Sequence, residues 1–220
     1  MKKNTPDKKI LQRAKEVYAR LIKRYPDPEP ELDWKNAWEL LVSTVLAAQC
    51  TDVRVNKVTP ALFEKWPGPS EMSKAEVSEI EEIIRSTGLF RNKSKNLKAA
   101  SELVMSEFNG ELPRTMKEMI RLPGVARKTA NIVLSNAMNV HEGVAVDTHV
   151  KRLSFRMGFT VSTNPNVIEK DLMPLFEQKN WGNANHLLVL FGRDVCPARN
   201  PKCDICELND ICPQNGIEKK

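Results

Sequence analysis

Apolar residues recur at helical spacing along nearly the whole 220-residue chain, and no period-two alternation extends beyond Val144–Val146. A sheet needs longer alternating segments or short β-branched runs bounded by turns, so this pattern confines the chain to helices. Fourteen prolines and nine glycines punctuate the pattern. They fix where helices can start and stop, because proline removes a backbone donor and glycine admits left-handed backbone. Ile10, Leu11, Ala14, Val17, Tyr18, Leu21 and Ile22 form one apolar face, opened by Thr5-Pro6 and closed by Pro26-Asp27-Pro28-Glu29-Pro30. That proline/acid stretch is the clearest boundary. Further helices are predicted around Trp38–Gln49, over Asp52–Trp66 with a kink or break at Pro60, and from a Ser73 cap to Ser86 with Gly88 just beyond. Others follow at Asn92–Glu107, Thr115–Arg121 and Ala126 to about Met138. Beyond Asp147 come one marked by Val150, Leu153 and Met157, then Asn166–Glu177 and Trp181–Arg193. The fold class is all-α.

The length suffices for one large domain or two small ones. The formal charge of +6 and a pI near 9.1 point to polyanion partners. The excess is local: Arg85 to Lys128 holds ten Lys/Arg against four Asp/Glu, whereas His186 to the C-terminus is balanced at five against five. No run approaches the roughly 18 apolar residues of a membrane span. The first residues, Met1 to Pro6, lead into no apolar segment, so the expectation is an intracellular, cytoplasmic protein without a secretion signal.

The basic region ends in Leu122-Pro123-Gly124-Val125-Ala126-Arg127-Lys128, a turn followed by two cations in the first turn of a helix. A helix N-terminus carries partial positive charge, so each cation there costs about 0.3–1 kcal/mol. A phosphate docked on the turn would resolve the conflict. Gly88-Leu89-Phe90-Arg91-Asn92-Lys93-Ser94-Lys95 echoes the arrangement: a helix end, a glycine, then cations opening a helix.

Four of five cysteines fall in Cys196-x6-Cys203-x2-Cys206-x5-Cys212, stiffened by Pro197, Pro201 and Pro213. Soft thiolates at this density suit metal rather than a disulfide framework, and spacing alone leaves zinc and an iron–sulfur cluster open. Cys50 reads as a small buried hydrophobe.

Leu-Pro-Gly-Val-x-Arg-Lys-Thr-Ala-Asn at 122–131, Val-Asp-Thr-His at 146–149 and the 6-2-5 cysteine spacing together resemble the endonuclease III family of helix-hairpin-helix DNA glycosylases. The resemblance runs from about Trp38 to Cys212 and includes Ala47-Ala48-Gln49-Cys50-Thr51-Asp52-Val53 and Gly88-Leu89-Phe90. It implies two helical lobes with DNA bound in the cleft between them. A six-helix barrel would span 31–140 with its hairpin at 115–138. A discontinuous lobe, 1–30 plus 141–220, would carry the cysteine loop. The family's loop holds a [4Fe–4S] cluster, which implies Cys196, Cys203, Cys206 and Cys212 as ligands. The sequence departs from the family where Ala126 replaces the hairpin's second glycine; a positive φ there would cost alanine roughly 1 kcal/mol or more, a helical one nothing. The Lys128–Asp147 linker is also about one residue longer than usual.

The implied activity is base-excision repair of duplex DNA by a monomer: an N-glycosylase that removes oxidised pyrimidines and a lyase that cuts at the abasic site. Lys128 would be the nucleophile. An ordinary lysine is protonated at neutral pH, but the helix end and Arg127 both disfavour its charge. Asp147 would stabilise developing oxocarbenium charge and help move protons, while also serving as an N-cap before Thr148-His149-Val150. Gly124, Val125, Ala126 and Arg127 would contact phosphate, with Arg193, Arg199 and Lys202 adding a basic surface near the cysteines. Gln49 and Leu89 would enter the duplex once the base is flipped. His149 is given no role. Two alternatives stand beside this reading: a monofunctional mismatch glycosylase, whose relatives lack lysine at position 128 and, for adenine removal, add a C-terminal extension; and a non-catalytic DNA-binding iron–sulfur protein.

Overall fold

The computed structural model describes residues 6–218, and every regular element among them is helical, without a strand. The chain divides into two compact units. One is continuous, Pro30–Glu142; the other joins the chain before Pro30 to the chain from Gly143 onward. Each unit has its own apolar core.

The continuous unit contains α2 (Ala37–Leu46), α3 (Asp52–Lys65), α4 (Pro69–Met72), α5 (Val77–Ile84), α6 (Phe90–Glu107), α7 (Met116–Met119) and α8 (Arg127–Met138). α2 is buried on all sides from Trp38 to Leu46, so it forms the centre around which the others pack. Leu40, Leu41, Leu62, Ile80, Ile84, Leu97, Met119 and Leu134 join it in the core; each such side chain contributes about 1.5–3 kcal/mol on burial. α2 packs on α8, and α6 packs on α4 and α5.

The second unit contains α1 (Lys8–Arg24), α9 (Thr148–Arg156), α10 (Pro165–Leu172) and α11 (Trp181–Asp194). Ala14, Val17 and Leu21 of α1 meet Val150 and Leu153 of α9 and Leu187, Leu188 and Phe191 of α11 in one core. Arg20 and Arg24 of α1 pair with Asp210 and Glu207, fastening the cysteine-rich segment to the helix.

Several boundaries differ from the sequence reading. Thr5 lies outside the described residues, and α1 is opened by Asp7, whose side chain accepts from the Lys9 N–H. α2 ends three residues early at Leu46, because Gln49 adopts φ 55° and cannot continue a helix. α3 runs unbroken through Pro60. Ser73 closes α4 rather than opening α5, which starts from Glu76, and Arg85–Thr87 forms a 3-10 turn. Cys50 is half-buried in the α2–α3 turn, packed at the edge of the core.

Candidate functional site

The hairpin is built by α7, the turn 120–126 and α8. Thr115 caps α7 through its hydroxyl. In the turn Val125 N–H donates to the Leu122 carbonyl at 3.0 Å, and Val125 is buried as the anchor. Gly124 has φ +78°, and a Cβ there would meet Asn96 at 3.0 Å. Conformation and space both require glycine at that position. Ala126 is the N-cap of α8 at φ −87° and ψ 166°, extended backbone that alanine adopts freely. Ala126 therefore imposes no strain, and the hairpin's departure from the family pattern is harmless.

Alanine also cannot cap. α1, α2, α3, α7, α9 and α10 all have a side-chain oxygen bonded to a first-turn N–H; Ala126 supplies none to α8. α8 thus begins without a side-chain cap, at a helix end whose partial positive charge favours an anion. Arg127 is partly buried in that turn and Lys128 is exposed.

Gln49 and Leu89 stand on neighbouring loops. Gln49 lies between α2 and α3, exposed, at φ 55°. Leu89 is the N-cap of α6 at φ 48°, with its side chain 54% exposed. Left-handed backbone costs a non-glycine residue roughly 1–2 kcal/mol, so both loops hold strain. A Cβ on Gly88 (φ +70°) would come within 4.0 Å of the Gln49 carbonyl oxygen, which shows how close the loops run. Beneath them Lys93, 4% exposed, donates from Nζ to the Leu46 and Thr87 carbonyls, each at 2.8 Å. Burial pushes the Lys93 ammonium below the usual lysine range.

Lys128 belongs to the continuous unit and Asp147 to the other. Asp147 is half-buried and caps α9, its Oδ1 accepting from Val150 N–H at 2.8 Å. Two histidines share its surroundings. Burial holds His186 down to about 4, against the pull of Asp147, so it is neutral at physiological pH. His149 is lowered by burial, with Arg152 and Arg193 adding to the shift and Asp147 opposing it. Arg152 Nη2 lies 3.1 Å from His149 Nδ1. Arg152 Nη2 also donates to the Gly192 carbonyl at 2.9 Å and the Cys196 carbonyl at 3.1 Å. Gly192 is where α11 crosses α9: a Cβ there would meet His149 Nδ1 at 2.8 Å and Arg152 Nη2 at 2.9 Å.

Cys196, Cys203, Cys206 and Cys212 line one pocket together with Phe191 and Arg156. Arg156, 8% exposed, donates from Nη1 to Cys196 Sγ at 3.1 Å and to the Pro197 carbonyl at 2.7 Å. Leu208 N–H points at Cys206 Sγ at 3.4 Å. Burial raises the thiols of Cys203, Cys206 (to about 11) and Cys212, and the neighbouring cysteines add to it. Four soft donors, a buried cation and a backbone N–H aimed at sulfur are what an anionic thiolate-bound iron–sulfur cluster requires. The residues present therefore fit such a cluster.

Lys93, His186, Arg152, Arg156 and Gly192 were not identifiable as site residues from sequence. Only Lys93 carried a signal, as a cation opening a helix after a glycine.

The chain matches two family models. Residues 42–178 match the HhH-GPD superfamily base excision DNA repair protein, and residues 195–212 the iron–sulfur binding domain of endonuclease III. Endonuclease III of Synechocystis sp. is 51% identical over 92% of each chain, and that of Escherichia coli 35% identical over 90% of this chain and 93% of its own. A trapped endonuclease III–DNA covalent intermediate superposes with a TM-score of 0.87 at 41% identity, covering 93% of this chain and 96% of that one. A thermostable thymine-DNA glycosylase superposes at 0.84 with 22% identity, over 92% of this chain and 96% of that one, a likeness of fold.

Proposed function

The chain belongs to the endonuclease III family, and from that premise we propose that it is a base-excision repair enzyme, a DNA glycosylase and abasic-site lyase acting on oxidised pyrimidines in duplex DNA. The observation that carries this reading is Lys128 in the uncapped first turn of α8, beside a hairpin turn shaped to hold phosphate.

Gly124, Val125, Ala126 and Arg127 fix the DNA backbone. The target base is extruded, and Gln49 and Leu89 occupy the vacated duplex position and the opposite strand. The Lys128 amine attacks the anomeric carbon as the N-glycosidic bond breaks and the base departs. The sugar ring then opens: C1′–O4′ breaks as the second C1′–N bond forms, and O4′ takes up a proton. The resulting Schiff base acidifies the adjacent C2′ proton, whose removal expels the 3′ phosphate by β-elimination. Asp147 offers a carboxylate against the oxocarbenium charge. One of its oxygens caps α9 and fixes its rotamer, so capping and catalysis are compatible. His149 and His186 stay uncharged beside it and leave its negative charge undiluted.

Cys196, Cys203, Cys206 and Cys212 hold the [4Fe–4S] cluster, whose chemistry here is to cross-link the loop. Arg199 and Lys202 on that loop, with Arg193, add basic surface for the same DNA. The protein would work as a monomer on DNA in the cytoplasm; no described helix is long and apolar enough to cross a membrane.

Borohydride trapping on abasic-site duplex tests the reading. A covalent adduct from the wild type that disappears in Lys128→Ala is expected. No adduct from a wild type that binds the DNA well would refute the lyase.

A further inference from the structure

Lys93 is the buried charge that the repair chemistry leaves unused. It sits in the first turn of α6, the wrong end of that helix for a cation. Its ammonium reaches away from its own helix to two others. Leu46 is the last residue of α2 and Thr87 the last of the 3-10 turn Arg85–Thr87. Carbonyls at such ends lack helical partners and carry partial negative charge. One ammonium thus closes two C-termini at once, with both bonds at 2.8 Å.

A strained residue stands just beyond each closed end. Gln49 comes three positions after Leu46, at φ 55°, and Leu89 two positions after Thr87, at φ 48°. Such conformations persist only where the surroundings over-determine them. The ammonium does more than fill buried space, since an apolar side chain of similar length would leave both carbonyls without a donor. The charge adds a fixed distance between two loop roots.

We propose that Lys93 is a positioning residue for base extrusion: it ties the Gln49 loop to the Leu89 loop so that the two side chains enter the duplex as one rigid pair. The proposal rests on the reading of Gln49 and Leu89 as the groups that fill and wedge the duplex. Lys93 touches neither DNA nor the reacting atoms.

The test is the Lys93→Met variant, trapped with borohydride on the same abasic site in duplex and in single-stranded DNA. Single strands have no vacated stack to fill and no opposite base to displace. A loss of roughly tenfold or more on duplex, with a change within about threefold on single strands, is expected. The loss should shrink to within about threefold when Lys93→Met is placed in a Gln49→Ala/Leu89→Ala background, because the lysine acts through those side chains. Equal losses on both DNAs, full additivity with the double substitution, or no loss at all would each overturn the proposal. Lys93→Gln keeps a donor that reaches one carbonyl; it is the variant to read if Lys93→Met does not accumulate, with the same duplex-selective loss at smaller size. Absence of any wild-type adduct on either DNA would instead sink the lyase reading, so the two failures are distinguishable.

Discussion

α6 and α8 begin alike and end up opposite. Each opens without a side-chain cap, after a residue that cannot provide one, and each places a lysine in its first turn. In α6 the offending cation is folded inward onto two helix-end carbonyls. In α8 it is left exposed at a helix start that has no side-chain cap. A local electrostatic conflict in a sequence therefore has two resolutions, one supplied by the protein and one left for a ligand. The difference lies in what the fold brings opposite the turn. For Lys93 one of the two acceptors, Leu46, is 47 positions away in the chain.

The two helices should differ most in activity. Lys128→Ala should reduce adduct formation at least about 10³-fold on duplex and single-stranded DNA alike, as removal of a nucleophile does, while DNA binding persists. A duplex-selective loss would move Lys128 into the class assigned to Lys93.

The second unit offers a contrast in how a buried group is kept uncharged. His186 is held at about 4, below the ordinary 6.5. Its folded-state value is depressed, so its contribution is fully present above about pH 6.5 and is lost as the pH falls toward 4. Denaturant titrations should show a loss of about 3 kcal/mol across that window, flattened in His186→Gln. An unchanged profile in that variant would exclude His186 as the source.

Stability separates the two lysines by sign. Lys93→Met leaves two buried carbonyls without their donor and should cost about 1–3 kcal/mol. Lys128→Met removes an exposed cation from a positive helix end and should stabilise by about 0.3–1 kcal/mol. Thermal unfolding of the two variants side by side reads both, and a shared sign would dissolve the contrast.

The hairpin turn sets two neighbouring positions against each other. Gly124→Ala, at positive φ and against Asn96, should destabilise by about 1–2 kcal/mol. Ala126→Gly should stay within about 0.5 kcal/mol, since that position is already extended. A large change at 126 in the same unfolding measurement would mean that the turn geometry is misassigned.

Much of the fold was legible because its determinants are local. The apolar stripe of α1, the caps at Thr115 and Asp147 and the Gly124 turn are each written within a few residues. Local rules failed where packing overrode them. Pro60 does not break α3, which runs from Asp52 to Lys65 through it, and Ser73 completes α4 although its residue type suits a helix start. The cysteine spacing alone left the metal open, the family resemblance implied the cluster, and the buried Arg156 against Cys196 is the part that only folding reveals. Lys93 and His186 were illegible as site residues, since a carbonyl or carboxylate brought close only by folding gives them their meaning.

Gly192 has a consequence on a different scale. One methyl group added there would press at once on His149 and on Arg152, and Arg152 is bonded to the backbone of the first cysteine. The smallest possible substitution in α11 would thus disturb both the carboxylate's helix and the iron-binding loop. A side chain at position 192 fits only if the His149 ring and the Arg152 guanidinium both move aside, so one contact sets the spacing of the two helices.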